Sequence, residues 1–162
     1  MEEILLAVMA KLQEISTLRW IDINVGQMDV DNPPVDYPCA LVDVPDIDYK
    51  SAGGRRQNGE VIVEVELYFP VRVPSNMSAP EQVRQQAFEH FKTVKDVYLA
   101  LQGLEGNNFS SLNRIKQSRR KDYYPRPVTL FFRCSVEDHS AVKEYTRYPV
   151  DPDIEMRLKV IK

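Results

Sequence analysis

Carboxylates are the side chains whose spacing in this sequence first suggests chemistry. Asp43, Asp46 and Asp48 follow one apolar stretch, and Glu64 and Glu66 lie in the next. Carboxylate oxygens bind Mg²⁺ or Mn²⁺, so the pattern suggests a metal-dependent hydrolase or nuclease. However, Glu66 stands where such a pair would need a lysine to activate water, and alternation predicts that both glutamates lie on the solvent face of a strand. We therefore predict no metal site.

The sequence also contains little that would support nucleophilic catalysis or cofactor binding. His90 and His139 lie in no catalytic motif, and a nucleophile needs a base beside it. Cys39 and Cys134 form no CxxC pair, and we predict that both thiols are buried and inert. Gly53-Gly54 lacks the Lys-Ser or Lys-Thr of a phosphate-binding loop. The sequence predicts a protein that is not an enzyme and has no cofactor.

The distribution of charge is more informative. Between Asp29 and Asp48 there are six acids and no base, whereas Arg114 to Arg126 contains six bases and one acid. The two segments are either unrelated solvated surfaces or the two halves of a head-to-tail contact between copies of the chain. In a third interpretation, the basic segment binds single-stranded nucleic acid with Tyr123 and Tyr124 as stacking platforms. The candidate residues for a subunit or partner interface are Asp43, Asp46, Asp48, Arg55, Arg56, Arg119, Arg120 and Lys121.

Size and composition limit the class of protein that carries these segments. The chain has 162 residues, a mass of 18.7 kDa and a formal net charge of -3, with 43% hydrophobic and 28% charged residues. These values are ordinary for one globular domain and disfavour a disordered chain or a globally basic nucleic-acid binder. No apolar run approaches the roughly 20 residues that cross a bilayer, and the acidic start Met-Glu-Glu is unlike a secretory signal. We expect an intracellular protein with no membrane partner.

Two helices are predicted from apolar residues that recur every three or four positions. The first covers about residues 2 to 17. The second begins at a capping box, Ser78 to Glu81, and stops at Gly103. The two apolar stripes are formed by Ile4, Leu5, Val8, Met9, Leu12 and Ile15, and by Val83, Ala87, Phe91, Val94, Tyr98 and Leu101.

Strands are predicted where apolar residues alternate or form short runs between prolines and glycines. They cover residues 20–23, 39–44, 60–70, 111–121 and 128–136, and Ser51 to Gly59 is predicted to be a projecting loop. The order of elements predicts an α+β fold, with a mostly antiparallel sheet of four to five strands packed against two main helices. Residues 1–137 form the predicted domain. Residues 138–162 form a C-terminal extension, predicted to be an edge strand or an arm that reaches a neighbouring subunit.

Four features together resemble the tail terminator and tail completion proteins of long-tailed bacteriophages and prophages. They are the amphipathic N-terminal helix, the Val35-Asp36-Tyr37-Pro38-Cys39-Ala40-Leu41-Val42 entry into a strand, the Gln57-Asn58-Gly59 end of a loop before a long alternating strand, and the capped second helix. The resemblance covers roughly residues 1 to 137 and includes no catalytic signature.

The resemblance implies a small structural subunit that assembles as a ring, commonly a hexamer. Such a ring caps the tail tube, ends its polymerisation and offers a surface to the head connector. The implied partners are further copies of the chain, the tail tube protein and the head-tail connector proteins, in the virion tail or in the host cytoplasm during assembly. The loop at residues 51–59 would contact the tube, and the acidic and basic segments would join neighbouring subunits. A related contractile apparatus such as a secretion system is an alternative setting, and a single-stranded nucleic-acid-binding module that uses residues 114–126 is the alternative function.

Overall fold

The computed structural model of the chain describes residues 1–70, 76–119 and 127–142. These residues form α1 (Glu2–Gln13), β1 (Trp20–Ile23), β2 (Cys39–Asp43), β3 (Ile47–Gly53), β4 (Arg56–Tyr68), α2 (Glu81–Leu101), β5 (Asn113–Arg119) and β6 (Val128–Asp138). A single 3-10 turn, Gln27–Asp29, lies between β1 and β2. The α+β prediction is confirmed, with six strands where four to five were predicted.

The six strands form one sheet in the order β1-β2-β4-β6-β5, with β3 paired to β4 off this path. The long strand β4 pairs with β2 through residues 64–68 and with β3 through residues 56–61. β2 and β3 therefore lie end to end along the same side of β4. Among the described strands only β1 and β2 run parallel, so the mostly antiparallel sheet is confirmed.

One face of the sheet packs against both helices because β4 and β6 alternate apolar with more polar residues. The buried side chains of this face and of the helices that cover it are Val61, Val63, Val65, Leu67, Val128, Leu130, Phe132, Cys134, Val136, Ile4, Val8, Leu12, Val94, Val97 and Leu101. The predicted alternation of both strands is confirmed. We call this the helix face of the sheet.

α1 ends at Gln13, before the predicted end near residue 17, because the backbone tightens into hydrogen bonds between residues three apart. The N–H of Ile15 bonds to the carbonyl of Leu12, and the N–H of Leu18 to the carbonyl of Ile15, both at 3.0 Å. These turns lead the chain directly into β1.

The N-terminal half of α2 differs from its prediction. The capping box is wrong, because α2 begins at Glu81 without a side-chain cap, and the N–H of Ser78 bonds to Asn76 Oδ1 at 3.0 Å. Phe91, predicted to face the core, is 49% exposed, whereas Val97 is fully buried. The predicted stop is confirmed, since Gly103 has a φ of 83°, a left-handed value that glycine adopts without strain.

Ser51 to Gly59 belongs to a β-hairpin and is not the predicted loop. β3 ends at Gly53 and β4 begins at Arg56, so the turn between them consists of Gly54 and Arg55. The sequence prediction missed β3 because its alternation is limited to Ile47 and Tyr49 and is followed by the small residues Ser-Ala-Gly. All residues of β3 are exposed except Ile47, which is partly buried.

The second face of the sheet is partly covered by the segment between β1 and β2. Met28, Cys39, Leu41 and Tyr68 form a small buried cluster there, with Val35 and Tyr37 packed against it. The prediction that Glu66 lies on a solvent face is wrong: it is only 4% exposed. Asn24 Nδ2 and the Tyr68 hydroxyl donate hydrogen bonds to Glu66 Oε2 at 3.1 and 2.9 Å.

The remainder of this second face is more exposed, and we call it the open face. It includes Asp48, Glu60, Ile62, Phe131, Arg133 and Ser135. An ion pair of 3.0 Å joins Arg133 Nε to Glu60 Oε1 on it. The open face is thus more polar than the helix face.

Part of the predicted C-terminal extension lies outside the described residues, which end at residue 142. β6 continues to Asp138, so the division of the chain at residue 137 stays a prediction. Neither helix that the structure describes is long and apolar enough to cross a membrane.

Candidate assembly interface on the two edges of the sheet

Three of the acids predicted at an interface lie along the β2–β3 side of β4. Asp43 ends β2 and is partly buried, with its Oδ1 accepting a hydrogen bond of 2.8 Å from the Val44 N–H. Asp46 follows in the connection to β3, and Asp48 lies within β3; both are exposed. No strand of the described chain pairs with the outer side of β3, so Asp48 lies on an edge of the sheet.

The three described bases of the opposite segment all lie on β5. The Arg114 guanidinium carbon lies 3.7 Å from the centre of the Tyr98 ring, and Lys116 Nζ lies 5.0 Å from that of Phe131. Arg119 lies near the exposed ring of Phe91, with 6.0 Å between the guanidinium carbon and the ring centre. These contacts are cation–π geometries that hold the side chains along the strand. Arg120 and Lys121 lie outside the described residues.

The fold therefore places the two charged segments at opposite edges of the sheet. β5 is the last strand on one side, while β1 and β3 are the outer strands on the other. β4 and β6 separate β3 from β5, so Asp48 on β3 and the described bases Arg114, Lys116 and Arg119 on β5 lie on strands that are not neighbours within one copy of the chain. Complementary charge on opposite edges is the pattern expected of a heterologous, head-to-tail contact.

Arg55 and Arg56, the other two predicted interface residues, lie apart from both groups. They occupy the turn of the β3–β4 hairpin, where Arg55 adopts a φ of 65°. Both side chains are exposed. The hairpin tip is thus a separate basic surface that the structure does not bring together with Asp43, Asp46 or Arg119.

The described residues contain no set of three or more His, Cys, Asp and Glu side chains arranged to hold a metal ion. Asp43 and Glu64 are direct cross-strand partners, but Glu66 is enclosed by Asn24 and Tyr68. A recess of about 300 Å³ beside the N-terminus of α1 includes Glu2, Glu3 and Glu137. Its Glu3 accepts a hydrogen bond of 2.7 Å from Asn108 Nδ2.

The cysteines and histidines are placed as predicted. Burial raises the pKa of the Cys39 thiol to about 12 and that of Cys134 to about 11, so both are protonated at neutral pH. Both are free thiols. His90 Nδ1 lies 2.9 Å from the Ala87 carbonyl within α2, and His139 Nε2 lies 3.1 Å from Glu137 Oε2 just after β6.

No local sequence pattern indicates two features of this region, the exposed edge of β3 and the buried carboxylate of Glu66. The residues of β3 are polar and small, and the position of Glu66 in an alternating strand predicts solvent exposure. What buries Glu66 is the segment between β1 and β2, which is remote in sequence. Burial by a segment that is distant in sequence leaves no periodic pattern in the local sequence.

The chain was compared with protein families, curated proteins and solved structures. No family model matches the chain, and no curated protein matches it. A chain in the structure of the virion of a native gene transfer agent particle is similar, with a TM-score of 0.44 and 16% identity. The match covers 83% of this chain and 94% of the other.

Proposed function

We propose that this chain is a structural virion-assembly protein whose copies join head to tail into a ring. The ring caps the tail tube of a phage or prophage, ends its polymerisation and joins it to the head connector. The observation that carries the proposal is the placement of Asp46 and Asp48 on one side of the sheet and of Lys116 and Arg119 on the opposite edge.

This placement favours a ring over a two-fold dimer. A two-fold dimer joins one surface to itself and would leave the complementary edge of each copy without a partner. A head-to-tail contact sets acid against base at every joint, and it closes into a ring when the rotation between copies divides a full turn. Such a subunit acts through its surfaces and needs no reactive centre.

Reversal of charge on the basic edge tests self-association. Arg119→Glu combined with Arg120→Glu is expected to lower the oligomer mass measured by light scattering, because both joints of each subunit lose their attraction. Lys92→Glu combined with Lys95→Glu on the exposed surface of α2 makes the same change in net charge, is the matched control and is expected to leave the mass unchanged. An unchanged mass in the Arg119/Arg120 variant would remove support for this contact.

Tube capping is tested with the tail tube protein of the same phage or prophage. Tubes polymerised with a substoichiometric amount of the chain should be shorter in electron micrographs than tubes polymerised alone, because each bound ring ends one tube. Arg55→Glu combined with Arg56→Glu at the hairpin tip is expected to weaken this effect if the tip contacts the tube. Tubes of unchanged length with the wild-type chain would contradict capping.

A further inference from the structure

β3 and β5 are the two described strands whose outer edges carry no partner strand, although at the start of β5, outside Lys116 to Arg119, the Arg114 N–H donates a hydrogen bond of 3.0 Å to Gln102 Oε1. β1 is also an edge strand, but both backbone polar groups of its last residue, Ile23, are hydrogen-bonded to nearby side chains. The Ile23 N–H donates to Asp22 Oδ1 at 2.8 Å, and the Ile23 carbonyl accepts from Gln27 Nε2 at 2.6 Å. The edge of β6 beyond β5 is covered by residues 108–110. Exposed strand edges are templates for further strands.

We propose that β5 of one copy pairs with β3 of the next copy, so that the sheet continues across the joint between subunits. This rests on the proposed function, since it names the contact that joins the ring. The partner is a second copy of the chain, and the contact is the addition of one edge strand to another.

The polarity of the strands suits this contact. β3 is antiparallel to β4, β4 to β6, and β6 to β5, so β3 and β5 run in opposite directions within one copy. Head-to-tail copies in a ring share one orientation relative to the ring axis. The β5–β3 joint is therefore antiparallel, the pairing that outnumbers parallel pairing in sheets generally.

Charge and sheet face select one register. Residues directly opposite each other in a sheet share a face. Asp48 and Lys116 are both on the open face, because their cross-strand partners are Glu60 and Phe131. Asp48 opposite Lys116 gives an ion pair, whereas a shift that sets Asp48 opposite Ser118 loses this pair and brings Lys50 against Lys116 on the same face, which is repulsive. In the chosen register Lys50 comes level with Arg114, which lies beyond the irregularity at Arg114/Lys116 and is on the helix face, opposite Phe132.

The end of β1 excludes a shift in the other direction. With Asp48 opposite Lys116, Arg119 comes level with Pro45, just beyond Val42, the last residue that pairs with β1. A shift that set Asp46 opposite Lys116 would drive Arg119 into the residues that follow Ile23. The irregularities of the two strands, at Ser51/Gly53 and at Arg114/Lys116, leave Ile47 to Ser51 and Lys116 to Arg119 regular.

The register also produces the stagger that a closed sheet requires. Asp48 pairs with Glu60 on β4, and Glu60 pairs with Ser135 on β6. Lys116 pairs with Phe131, which lies four residues from Ser135 along β6. Each copy therefore adds a stagger of four residues over the four strands β3, β4, β6 and β5. The strands of a closed sheet tilt relative to its axis and therefore need such a stagger, so the joint is compatible with closure of the ring.

Engineered cysteines test the pairing. Asp48→Cys combined with Lys116→Cys in the full chain should give a ladder of disulfide-linked oligomers on oxidation, because opposite Cα atoms in an antiparallel pair lie about 4.5 to 5.5 Å apart. Within one copy the two strands are three strand spacings apart, about 14 Å, too far for a disulfide. The buried Cys39 and Cys134 do not compete. Trp20→Cys with Lys116→Cys, which places the first cysteine at an exposed position of β1, is the control and should give no ladder.

Charge exchange gives a second readout that does not depend on oxidation. Asp48→Lys or Lys116→Asp alone should weaken association by about fivefold per joint, and the double exchange should restore it. Glu89→Lys and Lys92→Asp, both on the exposed surface of α2, control for net charge. If the wild-type chain forms an oligomer but the Asp48/Lys116 pair gives no ladder and the double exchange restores nothing, the strand pairing is wrong and the ring stands. If the wild-type chain is monomeric at every concentration and no ladder forms, both are overturned.

Discussion

At the scale of single residues, Glu66 is the acid that the fold encloses most fully among the described residues. It is 4% exposed and accepts hydrogen bonds from Asn24 and from the Tyr68 hydroxyl. A buried carboxylate is tolerated when donors replace the water that it loses. These bonds tie the segment after β1 to the C-terminal end of β4, where β4 pairs with β2.

Removal of one of these donors should be costly. Tyr68→Phe is expected to lower the free energy of unfolding by about 1 to 3 kcal/mol, because it deprives the buried Glu66 carboxylate of a hydrogen bond at constant side-chain shape. Urea denaturation followed by circular dichroism measures the change. Tyr49→Phe, on a side chain that is 42% exposed, is the control. Equal stability of the Tyr68→Phe variant and the wild type would show that the bond contributes nothing net.

The two thiols give a pH-dependent prediction at the same scale. Burial raises the pKa of Cys39 to about 12 and of Cys134 to about 11, so the folded state holds both protons more tightly than the unfolded state. Their contribution to stability is complete below about pH 8.5 and is lost as the pH rises through about 11 to 12. At pH 8, iodoacetamide should label neither thiol in the folded chain and both in guanidinium chloride, by mass spectrometry. A Ser51→Cys variant should label at once, and rapid labelling of either native thiol in the folded chain would contradict their placement.

At the scale of elements, the β3–β4 hairpin depends on a close approach at Gly59. A Cβ at this position would lie 2.7 Å from Ile47 Cγ2, 3.0 Å from Val136 Cγ2 and 3.1 Å from Tyr49 Cδ1. Glycine is therefore required where β3 and β6 side chains meet across β4. Without this approach β3 would be displaced from the sheet.

Gly59→Ala is accordingly expected to destabilise the chain by about 1 to 3 kcal/mol, the usual range for overpacking. Thermal unfolding measures the loss, and Ser51→Ala in the same hairpin, at an exposed position, is the control. Because β3 carries the proposed joint, the variant should also associate less than the wild type. A melting temperature equal to that of the wild type would mean that the neighbours of Gly59 move aside without cost.

Helices and strands whose apolar residues recur with a regular period were predictable, and elements held by contacts distant in sequence were not. The alternation of β4 and β6 and the stripe of α1 identify the helix face, because burial on one face imposes a period on the sequence. β3 has no such period, since both of its faces are exposed and only its pairing with β4 makes it a strand. The charged segments were visible in the sequence, but their position at opposite edges follows from the strand order, which no local pattern encodes.

At the scale of the whole molecule, the ring and the nucleic-acid alternative predict different responses to salt and ligand. Of the predicted basic segment, the described residues Arg114 and Lys116 lie over protein rings, and Tyr123 and Tyr124 lie outside the described residues. We expect little binding of a fluorescein-labelled single-stranded DNA by anisotropy at low or moderate salt. Tight binding that weakens steeply with salt, and that is lost in Arg114→Glu but not in Glu89→Lys, would favour the nucleic-acid function.

Head-to-tail assembly through opposite edges of the sheet is the central claim, and the mass of the wild-type chain over a range of concentrations tests it most directly. Sedimentation velocity at low salt should show a concentration-dependent shift from the 18.7 kDa monomer to a single closed oligomer larger than a dimer, and added salt should reverse the shift. A chain that stays monomeric at every concentration, or one whose association stops at a dimer, would contradict it.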